Sequence, residues 1–301
     1  MKRSEFLRNT TLVTGSAMVA PSLFAGDKLS KKNKKITILH TNDTHSNIDP
    51  FPENHAKYPG QGGVSRRFEM IEEIRAEEDD VLLLDAGDYF QGTPYFNKYG
   101  GVLEMKLMSE LGYDAATMGN HDFDAGINGF LDAYNHASFP VLCSNYDFSN
   151  TDLDGITSTD LILEKAGLKI GLFGLGVELD GLVPKDKYGE TRYLDPIEMA
   201  QDRVAYFQDE KCDLIICLSH LGYSYKSDKI SDLKLAQTTS GIHLIIGGHT
   251  HTFLEKPTEV NNSEGKTVLV NQVGWAGVQL GRVDFEIEKK KFSKENTLTI
   301  Q

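Results

Sequence analysis

Asp43, His45, Asp88, Asn120, His121, His220, His249 and His251 are residues of types that bind metal ions or move protons, and they sit at the ends of apolar runs. Lys35-Ile-Thr-Ile-Leu39 leads into His40-Thr-Asn-Asp43-Thr-His45. Val81-Leu-Leu-Leu-Asp85 leads into Ala-Gly-Asp88, and Ala115-Ala-Thr-Met118 into Gly119-Asn-His-Asp-Phe-Asp124. Farther on, the run from Asp213 to Leu218 ends at Ser219-His220, and Leu244-Ile-Ile-Gly247 at Gly248-His249-Thr-His251. Short apolar runs without polar alternation are expected as buried strands. The carboxyl ends of strands are where α/β sheets assemble sites. The clusters are therefore expected to converge, although Asp43 and His251 lie far apart along the chain.

The residue mix selects a kind of metal. No thiolate is among the candidates, which disfavours a structural zinc site. Imidazoles, carboxylates and one amide oxygen suit manganese, iron, zinc or a similar ion. Asp43, His45, Asp88, Asn120, His220, His249 and His251 are too many ligands for one such ion. They suffice for two if a carboxylate bridges. Two ions about 3.5–4 Å apart can clamp the attacking and leaving oxygens of a phosphoryl transfer.

The elements that must carry these residues are partly legible. Gly63 to Glu77 places Val64, Phe68, Ile71 and Ile74 on one helical face. Val102 to Leu111 is helical in pattern. Asp195-Pro-Ile-Glu198 opens a further helix reaching about Glu210, with Asp195 as cap, Pro196 at the first helical position and Glu198 closing a capping box. Leu161 to Lys165 and Lys169 to Gly174 are expected as two strands with the turn at Ala166-Gly-Leu. Val268 to Val273 and Arg282 to Ile287 are expected as closing strands. Strands alternating with helices predict an α/β class with helices covering the sheet faces.

Composition narrows the partners. The 301 residues can bury a real core, and 40% hydrophobic with 25% charged residues is ordinary for a soluble globular chain. The formal net charge of −13 argues against a binder of nucleic-acid polymers or anionic membranes. An enzyme acting on phosphates with this balance needs local positive charge, which bound divalent ions supply. Cys143, Cys212 and Cys217 form no CxxC pair and are expected as buried thiols.

The ordered set Asp43-x-His45, Gly87-Asp88, Gly119-Asn120-His121-Asp122, Ser219-His220 and Gly248-His249-Thr-His251 resembles the calcineurin-like metallophosphoesterases. More closely, residues 35 to 288 resemble the catalytic domain of 5'-nucleotidases and periplasmic UDP-sugar hydrolases. Supporting segments are Gly62-Gly-Val-Ser-Arg66, Gly87-Asp-Tyr-Phe-Gln-Gly-Thr-Pro94, Gly112-Tyr-Asp-Ala115 and Gly119-Asn-His-Asp-Phe-Asp-Ala-Gly126. The resemblance implies an α/β fold in four layers, an α-β-β-α sandwich of two mixed sheets flanked by helices. It implies two divalent metal ions (Mn, Zn, Fe or similar). Asp43, His45, Asp88 and His251 would hold one, and Asp88, Asn120, His220 and His249 the other, with Asp88 bridging. It makes His121 the catalytic histidine that touches the phosphoryl group and Asp124 its orienting carboxylate. Related protein phosphatases place that carboxylate in Gly-Asp-x-x-Asp, where this chain has Gln91. The activity implied is hydrolysis of a phosphorylated small molecule, a 5'-nucleotide or a cyclic phosphodiester, by a metal-bound hydroxide. The other reading is a non-catalytic metal-binding scaffold on the same fold. Some nucleotidases carry glutamine where His251 stands, a swap expected to change metal preference.

Two-domain relatives add a C-terminal domain that stacks the nucleobase. The sequence ends at Gln301, so the expectation is a single catalytic domain over residues 36–301. Its specificity is then loose, or supplied by a separate specificity-domain protein. At the other end, Lys2, Arg3 and Arg8 precede a small-residue stretch, and Ser22-Leu-Phe-Ala25-Gly26 offers a cleavage point. Residues 1–26 are expected as an export signal and 27–35 as a linker, with a periplasmic destination. The signal resembles a twin-arginine leader in which Ser4 replaces the second arginine. No other stretch is long and apolar enough to span a bilayer.

Several residues carry plainer expectations. His40, His55, His136 and His243 are expected to be structural, as is Asp122. Asp85 is a candidate to orient a ligand histidine. Gly62-Gly63 and Gly100-Gly101 are expected as tight turns before helices. The acidic run around Glu77-Glu78-Asp79-Asp80 is expected to face solvent. For Tyr89, Phe90, Tyr95, Phe96, Tyr223, Tyr225 and Trp275, stacking on a base and ordinary packing stand equally open.

Overall fold

The computed structural model describes residues 35–287 and 289–301. The expected export signal and the linker as far as residue 34 lie outside the described residues. Lys35, read as the linker's last residue, already pairs with Glu286 in the first strand. The strands are β1 (Lys35–Thr41), β2 (Val81–Asp85), β3 (Ala115–Thr117), β4 (Val141–Leu142), β5 (Tyr146–Asp147), β6 (Asp160–Lys165) and β7 (Leu168–Leu175). They continue as β8 (Arg192–Tyr193), β9 (Leu214–Ser219), β10 (Leu244–Gly247), β11 (Thr258–Asn261), β12 (Thr267–Asn271), β13 (Gln279–Glu286) and β14 (Lys291–Thr299). The helices are α1 (Val64–Glu77), α2 (Pro94–Tyr99), α3 (Val102–Leu111), α4 (Gly126–Tyr134), α5 (Lys185–Tyr188), α6 (Pro196–Asp209) and α7 (Asp232–Thr238).

One mixed sheet has the order β14-β13-β1-β2-β3-β4, and the second has the order β11-β12-β10-β9-β7-β6. Alternation along each strand explains the layers. On β9, Leu214, Ile216 and Leu218 meet Ile36, Ile38, Leu82 and Leu84 of the first sheet in a core between the sheets. Ile215 and Cys217 point the other way, toward Val204, Phe207 and Leu235 of α6 and α7. On the first sheet Leu39 and Leu83 face outward to Ile71, Met105 and Phe130 of α1, α3 and α4. The result is the four-layer α-β-β-α sandwich. It also explains the unpatterned strands, because both of their faces are buried.

Two local expectations change. In α1 the buried face is Val64, Arg67, Ile71 and Ile74, whereas Phe68 is exposed. Arg67 turns inward, close enough to Asp85 and Tyr113 for its charge to act on both. Hydrophobicity alone cannot foresee an arginine drawn toward a buried carboxylate. In α6 Asp195 caps as expected, accepting from the backbone N–H groups of Ile197 and Glu198. No helix among the described residues is long and apolar enough to cross a membrane.

The acidic run is not wholly solvated. Glu78 pairs with Lys35 and Arg282, and Asp284 also pairs with both cations. Burial works against the charge of Glu78 and Asp284, but hydrogen bonds from these cations hold both carboxyls below their usual range. Lowered folded-state pKa values mean that this stabilisation is present above the ordinary carboxyl range. It fades as pH falls through the lowered folded-state values. Arg282→Met should cost about 2 kcal/mol at neutral pH, between the exposed and fully buried cases, since Lys35 remains. Urea unfolding at pH 7 should show this loss. Repeating it in acid should show the difference from the parent shrinking.

Candidate active site

β1, β2 and β3 run parallel in one sheet, and β9 and β10 run parallel in the other. The chain leaves their carboxyl ends into the segments that carry the candidate residues. The site therefore lies between the ends of two sheets. Five of the seven candidate ligands have positive φ: Asp43, His45, Asp88, His249 and His251. This left-handed backbone is uncommon outside glycine, although Asp and His adopt it more readily than most. A strained conformation of this kind costs roughly 1 kcal/mol or more per residue and persists where surrounding contacts impose it. Close approach requires glycine beside them. A Cβ on Gly119 would stand 2.2 Å from Asp88 Oδ1 and 2.6 Å from His220 Nε2.

Two groups of donor atoms result. Asp43, His45 and His251 form one, and Asp88, His220 and His249 form the other. In the first, His45 Nε2 is 3.0 Å from His251 Nε2, and His251 Nε2 is 3.3 Å from Asp43 Oδ1. In the second, His220 Nε2 is 3.0 Å from Asp88 Oδ2, and His249 Nδ1 is 2.8 Å from Asn120 Oδ1. Asp88 Oδ2 also lies 3.8 Å from His45 Nε2, so one carboxylate oxygen faces both groups.

The donor set fits a pair of divalent ions. His220 is fully buried, and its Nδ1 donates to the Ala86 carbonyl at 2.7 Å. Its buried Nε2 faces Asp88 Oδ2 at 3.0 Å without a well-aligned hydrogen bond. Likewise His45 Nδ1 lies 3.2 Å from the Phe90 carbonyl, which leaves its Nε2 as an electron-pair donor. Neutral nitrogens gathered about carboxylate oxygens call for a cation. A proton is the lesser substitute. Burial opposes charge on His220, yet Asp88 and Asp43 push its pKa up to about 10. Burial and then His220 push His249 down to about 4, and burial lowers His45 as well. Mixed N/O ligands of this kind suit manganese, iron or zinc.

His121 stands apart from both groups. Its Nδ1 lies 2.8 Å from Asp124 Oδ2, and its side chain is 42% exposed. The hydrogen bond to Asp124 raises its pKa, against the effect of partial burial. Its backbone N–H donates to Asp88 Oδ1 at 2.8 Å. The arrangement is an imidazole oriented by a carboxylate beside a metal-type pocket, with Nε2 left for a reacting group.

The structure gives Asp122 and Asp85 definite roles and adds Asn42 and Gln272, which the spacing did not single out. Asp122 is buried and accepts from the backbone N–H groups of Asp88, Phe90 and Gly119. It joins the loops after β2 and β3. Asn42 donates to Asp43 Oδ2 and the Gly274 carbonyl and accepts from Val273 N–H. Asp85 accepts from Thr41 Oγ1 and Gly87 N–H. It steadies the Gly87 turn rather than a ligand histidine. Gln272 is fully buried. It donates to the Gly248 carbonyl and accepts from Thr252 N–H and Thr250 Oγ1, clamping the loop of His249 and His251. Gln272→Leu should orphan two backbone groups and cost about 1–3 kcal/mol. It should also weaken metal binding about 10–100-fold, the usual effect of losing a group that orients ligands. Urea unfolding and metal titration measure the two effects.

The remaining candidates fall elsewhere. His40 is buried against Asn271, at 2.8 Å, and burial pushes its pKa down to about 3. His55 and His243 accept from backbone N–H groups of Tyr58 and Ile215, and His136 is exposed on the surface. Tyr89 and Phe90 are core residues rather than mouth residues. Tyr223 and Tyr225 bond to Thr258 and the Leu221 carbonyl. Trp275 alone of that set stacks on a candidate ligand, His251, with centroids 5.7 Å apart and planes 9° from parallel.

With this geometry established, comparison with known proteins is informative. The calcineurin-like phosphoesterase family model matches residues 36–253. The chain is 34% identical over 288 residues to the trifunctional nucleotide phosphoesterase protein YfkN of Bacillus subtilis, covering 85% of this chain and 18% of that protein. It is 34% identical over 277 residues to the snake venom 5'-nucleotidase of Crotalus adamanteus, covering 85% of this chain and 46% of that protein. Both matches span less than half of the relative's own length. Among solved structures, the 5'-nucleotidase precursor from Thermus thermophilus superposes with a TM-score of 0.79 at 34% identity, covering 88% of this chain and 54% of that one.

Proposed function

The chain belongs to the calcineurin-like phosphoesterase family, and from that premise we propose that it hydrolyses phosphoesters with two divalent ions. One observation carries the reading: a single oxygen of Asp88 faces His45 of one donor group and His220 of the other. Asp43, His45, Asp88 and His251 would hold one ion. Asp88, Asn120, His220 and His249 would hold the other. When bound, the ions supply positive charge for the phosphoryl oxygens and acidify the attacking water. His121, whose pKa Asp124 raises, presents Nε2 to a phosphoryl or leaving oxygen. Asp124 fixes the tautomer and orientation of that imidazole. The Asp88 carboxylate couples the two halves, since its other oxygen accepts from the His121 backbone.

The substrate class follows from the relatives named as nucleotide phosphoesterase and 5'-nucleotidase. We take 5'-nucleotides as the first substrates and cyclic phosphodiesters as the second. The test is phosphate release from a nucleotide panel by protein reconstituted with manganese, zinc or iron, set against metal content. Two ions per chain with no hydrolysis of any phosphoester would leave a scaffold instead. We also read residues 1–26 as an export signal. Fractionation and N-terminal sequencing of the expressed protein would show a cytoplasmic, uncleaved chain if that is wrong.

A further inference from the structure

Of the candidate ligand histidines, His249 and His251 have no ring hydrogen bond beyond a contact with a fellow ligand, and His251 is the most exposed of the Asp43 group. His45 and His220 each anchor Nδ1 on a backbone carbonyl, Phe90 and Ala86. His249 sits against Asn120. His251 is 40% exposed, and its one ring hydrogen bond is the contact with His45 that an ion would replace. No backbone carbonyl fixes its imidazole, and one side of the ring is left open by its hydrogen bonding.

Trp275 occupies that open side. Its indole lies parallel to the His251 ring. Phe51 and Tyr58 meet the indole edge to face at 6.2 and 6.5 Å. The turn that carries it is pinned at both ends to ligand-bearing segments. Ala276 N–H donates to the Asp43 carbonyl at 2.7 Å, and Gly274 N–H to the Thr252 carbonyl at 2.9 Å. The turn has no room for a larger residue at its start, since a Cβ on Gly274 would stand 2.2 Å from the Phe253 ring. Trp275 is thus a rigid plane referenced to Asp43 and to the His251 loop together.

We propose that Trp275 is a positioning residue that holds His251 in its ligating orientation, and that it acts on one of the two metal ions and not on the other. The inference rests on the ligand assignment above. Stacking takes the place of the hydrogen bond that orients His45 and His220, and an aromatic pair of this geometry adds attraction beyond area burial. The chain has a single tryptophan, so the same contact reports on the site. A paramagnetic ion at the Asp43 group should quench its fluorescence.

The experiment titrates metal-free protein with Mn(II), reading fluorescence and calorimetric heat. Trp275→Leu should lower affinity for one of the two ions by about 10–100-fold, the range for groups that orient ligands. The other affinity should stay unchanged. Trp275→Phe should recover most of the loss, because it restores a flat ring. In the parent, quenching should accompany one equivalent, and His251→Ala should abolish it while one ion still binds. Unchanged affinities in Trp275→Leu overturn the proposal alone. So does an equal fall in both affinities accompanied by a lower Tm, which marks general loosening. If Asp43→Ala and His251→Ala still bind two ions as tightly as the parent, the ligand assignment falls, and the proposal with it.

Discussion

Asp88→Ala is expected to abolish binding of both metal ions and with it all hydrolysis above background. The carboxylate occupies the seam of the site. Oδ2 lies 3.0 Å from His220 Nε2 and 3.8 Å from His45 Nε2, and Oδ1 accepts from the His121 backbone. Without it each donor group loses an anionic ligand, and nothing anionic remains between two dications whose mutual repulsion is large at short range. Asp43→Ala provides the contrast, since Asp43 belongs to one group. It should lose one ion and retain the other. Elemental analysis after gel filtration reads both outcomes. Two tightly held ions in Asp88→Ala would sink the assignment. A melting curve checks that the fold survives, since alanine adopts the left-handed φ of 58° at this position less readily than aspartate.

His121→Asn is expected to keep two ions and lower kcat by about 10²–10⁴-fold, the range for a lost acid–base group. The substitution retains the backbone N–H that serves Asp88, so the metal groups should not notice it. It removes the imidazole held by Asp124 at 2.8 Å. Asp124→Asn should be milder. An amide can still accept from Nδ1–H, but it no longer supplies the negative charge that raises the His121 pKa. Steady-state kinetics with parallel metal analysis tests the pair. Loss of metal stoichiometry in a folded His121→Asn protein would mean that ligand and catalytic roles had been confused. An activated aryl phosphate should be less sensitive to His121→Asn than a nucleotide, because its leaving oxygen needs less help.

The α/β class, the family and the grouping of the polar strand-end residues were legible in the sequence. Metal chemistry admits few side-chain types, and strands buried on both faces announce themselves as apolar runs. Together those constraints mark Asp43, Asp88, His220 and His249 in the sequence alone. The pairing of His121 with Asp124 came from resemblance, and the structure places the two groups in contact. Elements with weak signals were not legible. α4 is broken in pattern by Gly126 and Gly129, and β14 is a polar strand whose place beside β13 is set by the ladder.

What the sequence by itself determined was which atoms are available as ligands and that they follow strands. Only the tertiary structure decided which of them meet, and what holds them there. Asn42, Asp122, Gln272 and Trp275 act on backbone groups or ring faces of other segments, and such contacts leave no fixed spacing along the chain. Arg67 and Phe68 make the same point within one helix. Periodicity favoured Phe68 for the interior, but the buried Asp85 carboxylate lies on the Arg67 side. A residue's own type states what it can bind. Which partner reaches it depends on the packing of two sheets, one of which joins the first strands of the sequence to the last.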